Sequence, residues 1–110
     1  MDTQSVIANL EKLLAQGRET ALLRFSLGSE YLKVSQTWVA IFHLKRALDL
    51  DSNYSAAWKL LGMALTEGGV LNEALSTYRH GIEVARRCGD QQAANEMTVF
   101  ATRLEKKLLA

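Results

Sequence analysis

Apolar residues recur along this chain every three to four positions in about six separate stretches, and nowhere do they alternate strictly with polar ones. That period belongs to helices that each bury one face. Over 4–16, Val6, Ile7, Leu10, Leu13 and Leu14 fall on one side and Asn9, Glu11, Lys12 and Gln16 on the other, with Gly17 placed to end the helix. A second helix over 20–33 carries Leu23, Leu27 and Tyr31 beside Gly28. A third, over 37–50, starts at Thr37 as N-cap and carries Trp38, Ile41, Leu44 and Leu48 with the small Ala40 and Ala47. Asp51-Ser52-Asn53 then breaks the pattern with turn formers. The fourth helix, 54–67, bears Ala57, Trp58, Leu61, Ala64 and Leu65 and stops at Gly68-Gly69. A fifth, 72–87, bears Ala74, Leu75, Tyr78, Ile82 and Ala85. Gly89 closes it, and Asp90 caps a sixth over 91–109 striped with Ala93, Ala94, Met97, Phe100, Ala101, Leu104 and Leu108. The fold class is all-α, and the short connections make neighbouring helices antiparallel hairpins.

Residues 21–54 and 55–88 repeat one 34-residue plan. Laid over each other, Leu27-Gly28 falls on Leu61-Gly62, Ala40 on Ala74, Leu44 on Tyr78, Ala47 on Gly81 and Leu48 on Ile82. Identities are few, yet the small residues recur where paired helices must approach. Glycine in mid-helix costs about 1 kcal/mol relative to alanine. Close approach of the partner helix at Ala40 and Ala74 is the expected compensation at Gly28 and Gly62. A fixed period of this length implies stacked units, each unable to bury its apolar face alone.

These positions resemble the tetratricopeptide repeat. In the second unit Trp58-x-x-Leu61-Gly62, Leu65, Gly69, Ala74, Tyr78, Gly81 and Ile82 fall on the family's spacings. In the first unit Leu27-Gly28, Tyr31, Ala40, Leu44, Ala47 and Leu48 do so, while Arg24 replaces the usual aromatic. Ser52 and Arg86 stand where each repeat would normally end in proline, and Ala94-Asn95-Glu96 departs from a third Leu-Gly pair. The resemblance implies a right-handed α-α superhelix of about six helices. One domain over 1–110 would comprise the packing helix 4–16, repeats at 21–54 and 55–88, and a capping helix within 90–109 whose Gln91, Gln92, Asn95, Glu96 and Arg103 face water.

Composition narrows the function classes. The formal net charge is +1, which gives no strong field for nucleic acid or an anionic membrane. No apolar run reaches the length of a membrane span, and Met1-Asp2-Thr3-Gln4 has no signal-peptide character. The lone Cys88 fits a reducing, cytoplasmic setting. His43 and His80 read as solvated helix-face histidines without ligand partners, and Asp49 as an ion-pair partner of Arg46. No residue set argues for catalysis, a metal or a cofactor. Arg103, Lys106 and Lys107 sit near a helix C-terminus, where cations are favoured without any nucleic acid.

The resemblance implies a concave face lined by the first helix of each repeat. It would present Leu22, Phe25, Ser29, Leu32 and Lys33 from the first unit, and Ala56, Lys59, Met63, Thr66 and Glu67 from the second. One subclass of the family grips acidic chaperone tails through a Lys, Asn and Arg clamp; here Phe25, Ser29, Ala56 and Leu60 occupy those positions. The expectation is therefore a non-enzymatic interaction module for a peptide or helix, with Phe25 and Met63 lying outside the packing stripes. The alternative is a structural protein that forms a homodimer through the same face.

Overall fold

The computed structural model describes residues 2–110 as six α-helices: α1 (Thr3–Ala15), α2 (Ala21–Lys33), α3 (Thr37–Leu50), α4 (Ser55–Glu67), α5 (Leu71–Arg87) and α6 (Gln91–Leu109). No strand occurs among the described residues. Each helix packs against the next in the chain, and α2 also touches α4, as α4 touches α6. By contrast, the backbones of α3 and α5 stay apart, and the two helices meet through the Lys45–Glu73 ion pair at 3.0 Å. The stack is thus drawn together on the α2, α4 and α6 side and splayed on the other, which makes the former its inner face.

The core is continuous. Leu44, Leu61, Leu65, Tyr78, Met97 and Leu104 join one buried cluster that runs from α3 to α6. Leu27 at the centre of α2 and Leu61 at the equivalent position of α4 are 0% and 4% exposed. The last helix lies on α5 through Ala94, Met97, Ala101 and Leu104, so it is core and not a tail.

The mid-helix glycines meet something other than the expected alanines. A Cβ on Gly28 would lie 2.6 Å from Leu44 Cγ, and one on Gly62 would lie 2.3 Å from Tyr78 Cε1. Ala40 and Ala74 are fully buried, one turn earlier on the same helices. The close approach therefore serves to admit the large side chains that follow the alanines.

Helix starts also differ from expectation in detail. Asp2, Thr20 and Asp90 cap α1, α2 and α6, accepting from the N–H groups of Ser5, Leu23 and Ala93. Thr37 is the first residue of α3, and Gln36 stands at its cap without a side-chain hydrogen bond. Trp38, expected on the buried stripe of α3, is 63% exposed. It stands two residues before Ala40, so it points to the opposite side of α3 from Ala40, Leu44 and Ala47, with only the tip of its ring reaching Gly68 at the end of α4.

Candidate functional site

Along the inner face the expected residues adjoin but do not form one groove. Leu22 is 64% exposed and borders a depression of about 250 Å³ with Leu10 and Leu13 of α1. One turn on, Phe25 and Ser29 border a second, of about 290 Å³, with Val6 and Leu10. These two hollows run together between α1 and α2, because Leu10 and Ser26 line both. Leu10, Val6 and Leu13 were read from the sequence only as packing residues. Their helix lies outside the 34-residue register, so no equivalent position marked them as groove lining.

The second-unit residues stand in more polar surroundings. Lys59 reaches Glu96 of α6 at 3.4 Å beside a hollow of about 200 Å³ bordered by Ala56, Asp90, Gln92 and Ala93. Thr66 donates to the Gly62 carbonyl at 2.7 Å and borders a separate recess with Tyr78 and Phe100. Met63 is 42% exposed, Glu67 is exposed, and Lys33 pairs with Glu30 at 2.9 Å. The face is apolar at α1 and α2, and charged where α4 meets α6.

Phe25 is not outside the packing stripes as expected. It is half-buried against the core, its ring stacked on Tyr54 with centroids 4.9 Å apart. Leu32 packs on the same core. Both therefore belong to the fold as much as to the surface, whereas Leu22 and Met63 are exposed.

Behind the groove lies a polar cluster around His43, which the sequence places on a solvated helix face. His43 is 5% exposed, stacked on Tyr31, with Arg24 Nη1 at 3.0 Å from its Nδ1. Because a guanidinium only donates, Nδ1 accepts and the ring proton is carried on Nε2. That nitrogen faces Glu11 of α1 at 3.8 Å. Burial pushes the His43 imidazole below its ordinary pKa; Glu11 opposes the shift and Arg24 adds to it. Burial, then the Glu11 charge, raises the Tyr31 phenol. Glu19 accepts from Arg24 Nε at 2.7 Å and from Arg46 Nε and Nη2 at 2.9 Å. Those hydrogen bonds, the Arg46 ones first, hold the Glu19 carboxyl at about 2. The direct partner of Arg46 is thus Glu19 and not Asp49. A fork-shaped cation finds a two-oxygen match across the hairpin that a residue three places along its own helix does not supply.

His80, by contrast, is exposed as expected and stacks on Trp58 at 5.8 Å. Cys88 is free and exposed. Among the described residues no grouping of His, Cys, Asp and Glu could hold a metal, and no helix is long and apolar enough to cross a membrane.

No family model matches the chain. Over 101 residues it is 45% identical to a TPR repeat-containing protein of Pseudomonas aeruginosa, spanning 92% of this chain and 96% of that one. Its structure is similar to the solution structure of a protein from Bordetella parapertussis, with a TM-score of 0.82, 41% identity, and coverage of 93% of this chain and 89% of the other. It is also similar to the TPR2B domain of yeast Sti1 in complex with pHsp70, with a TM-score of 0.89 at 15% identity, covering 96% and 85% of the two chains.

Proposed function

The chain belongs to the tetratricopeptide-repeat proteins, and from that premise we propose that it is a non-enzymatic interaction module binding a peptide or helix on its inner face. The observation that carries this reading is the run of hollows between α1 and α2, bordered by Val6, Leu10, Leu13, Leu22 and Phe25. Leu22 and Leu13 are exposed large apolar residues, 64% and 36%, with no partner helix over them. A segment with two or three apolar side chains at helical or extended spacing fits such a trough. Ser26, Ser29 and Glu30 on its rim offer hydrogen bonds that fix the register of the bound chain. The Sti1 domain in its pHsp70 complex supports the same use of the fold. In this chain the charged pair Lys59–Glu96 closes the α4 and α6 end, so the bound segment is held mainly by apolar contacts. The domain acts as one unit over 1–110, with α1 supplying one wall of the site and α6 the cap. The exposed, unpaired Cys88 fits a reducing cytoplasmic setting.

The test uses Leu22→Glu with Leu13→Glu, both at exposed positions, in affinity recovery from the native cell followed by mass spectrometry. The variant should melt within about 0.5 kcal/mol of the parent per site and lose the proteins that the parent recovers. Unchanged recovery by a folded variant would place binding elsewhere. Phe25→Ala is the wrong probe, because its ring is part of the core.

A further inference from the structure

The other face of the molecule carries a feature that neither the fold nor the groove requires. On α3, Trp38 and Phe42 are 63% and 61% exposed, one turn apart, with Val39 beside them at 38%. The repeat supplies its own control: the equivalent positions of α5 hold Asn72, Ser76 and Glu73. The hairpin therefore packs without apolar groups there. Within one copy Trp38 reaches only the end of α4 at Gly68, and Phe42 meets Arg24 and His43, so most of both rings stays in water. Burying them against another surface accounts for the rest.

The charges at the ends of α3 also differ from those of its equivalent. On α5, Glu73 stands in the first turn and Arg86 and Arg87 in the last, as the helix dipole favours. On α3 the first turn has no acid and no side-chain cap, the last turn has no base, and Asp49 stands near its C-terminal end. Trp38, Phe42, Lys45 and Asp49 lie on one stripe at i, i+4, i+7 and i+11, aromatic toward the N-terminus and charged toward the C-terminus.

We propose that this stripe pairs with a second copy of the chain, two α3 helices lying antiparallel about a twofold axis near Phe42. In that register Phe42 meets the partner's Phe42, and Trp38 lies against the partner's Lys45, whose ammonium is also held by Glu73 of its own copy at 3.0 Å. Asp49 lies against the uncapped start of the partner's α3. The arrangement matches an aromatic face to a cation and an acid to a bare helix N-terminus, at both ends at once. Phe42 already accepts such a contact within one copy, with the Arg24 guanidinium 5.7 Å from its ring centre. The size of the patch fits a reversible pair. Large aromatics cover ~150–250 Å² each, so the patch offers ~300 Å² per copy. With more than half of an interface apolar, the whole footprint comes to about 1,000 Å², at the weak end of specific association. Such a pair leaves the groove between α1 and α2 open on both copies.

Sedimentation of the full chain from about 1 µM to about 1 mM brackets an interface of that size. The parent should move from 12.2 kDa toward twice that mass with concentration. Trp38→Asn with Phe42→Ser, the residues of the second unit, should stay monomeric with unchanged helical circular dichroism. Asp49→Lys alters neither the core nor the aromatics and should weaken pairing about 10-fold, which keeps the test sound if the double variant misfolds. A parent that remains monomeric overturns the proposal, including the case in which Trp38 emission shifts only when a different protein is added. Undiminished pairing by the double variant or by Asp49→Lys overturns it too.

Discussion

The two 34-residue units solve one packing problem with two chemistries. In the second, Trp58 sends its indole Nε1–H back to the Ser52 carbonyl at 2.9 Å in the preceding loop and stacks on His80 of α5. At the equivalent positions of the first stand Arg24 and Arg46, two like charges bridged by Glu19 of the preceding loop. Both Trp58 and Arg24 donate to the loop before their helix, and both seal the open end of a hairpin. Thr77 of α5 is replaced by His43, which draws Glu11 of α1 into the arrangement. The repeat thus fixes where a long, donor-bearing side chain must sit and leaves its chemistry to the neighbours. Next to a lone helix, a charged network with one side in water suffices; next to a full hairpin an aromatic stack does the work.

Substitutions that exchange features between the units break or sharpen this comparison. The largest difference is expected at the mid-helix glycines. Gly62→Ala drives a Cβ into the rigid ring of Tyr78, which is 2% exposed and has nowhere to turn. It should cost about 1–3 kcal/mol despite the better helix propensity of alanine. Gly28→Ala meets Leu44 Cγ at 2.6 Å, a smaller overlap with a side chain that lacks a rigid ring, and should cost less. Chemical denaturation of the two variants measures both; equal costs would show that ring rigidity is not the cause.

Acid comes next, and it should act through the first unit. Because the folded-state His43 pKa is depressed, the unfolded chain takes up a proton near the ordinary value while the folded chain does not. Stability therefore falls as pH drops below about 6.5. Glu19 is likewise depressed, so its contribution is present above about 4.5 and lost as pH falls toward about 2. Melting curves from pH 8 to pH 5 should show a step that His43→Thr, the second unit's residue, flattens. A step of undiminished size in that variant would assign the acid sensitivity to other groups.

The smallest effect is expected where the first unit departs from a glycine. Ser35 has φ of 61° after α2, and the equivalent Gly69 has φ of 80° after α4. A side chain in the left-handed region costs about 1–2 kcal/mol, part of which glycine's greater freedom in the unfolded chain cancels. Ser35→Gly should raise stability by about 0.5–1 kcal/mol. A lower melting temperature would mean that the Ser35 side chain contributes a contact outweighing the strain.

Much of this was legible in the sequence, and the residues that were not share a cause. Helical periodicity located every helix to within a residue or so at each end, and the glycine register identified the hairpins, because both are set within one unit. What periodicity cannot see is which side of a helix the neighbouring unit covers. Trp38 fell on the expected stripe only because a heavy apolar residue at the start of α3 was given to the core. His43 was given to solvent because a lone histidine offers no sign that an arginine nineteen residues away will satisfy its ring. The missing signal for the aromatic patch was present in the offset itself: Trp38 and Phe42 align with Asn72 and Ser76. A repeat can be read as a difference as well as a likeness.

The placement of the helix caps has a consequence for how the chain finds its fold. Side chains cap α1, α2 and α6, at the two ends of the molecule, while α3, α4 and α5 begin without one. The middle helices lack a local start signal, and short helices without tertiary support are marginal in water. They form only as their neighbours close over them, so the centre of the chain orders as one cooperative block while the capped ends resist fraying. In amide exchange, α3 to α5 should open together in a single event, and the usual gradient of protection from centre to termini should be shallow.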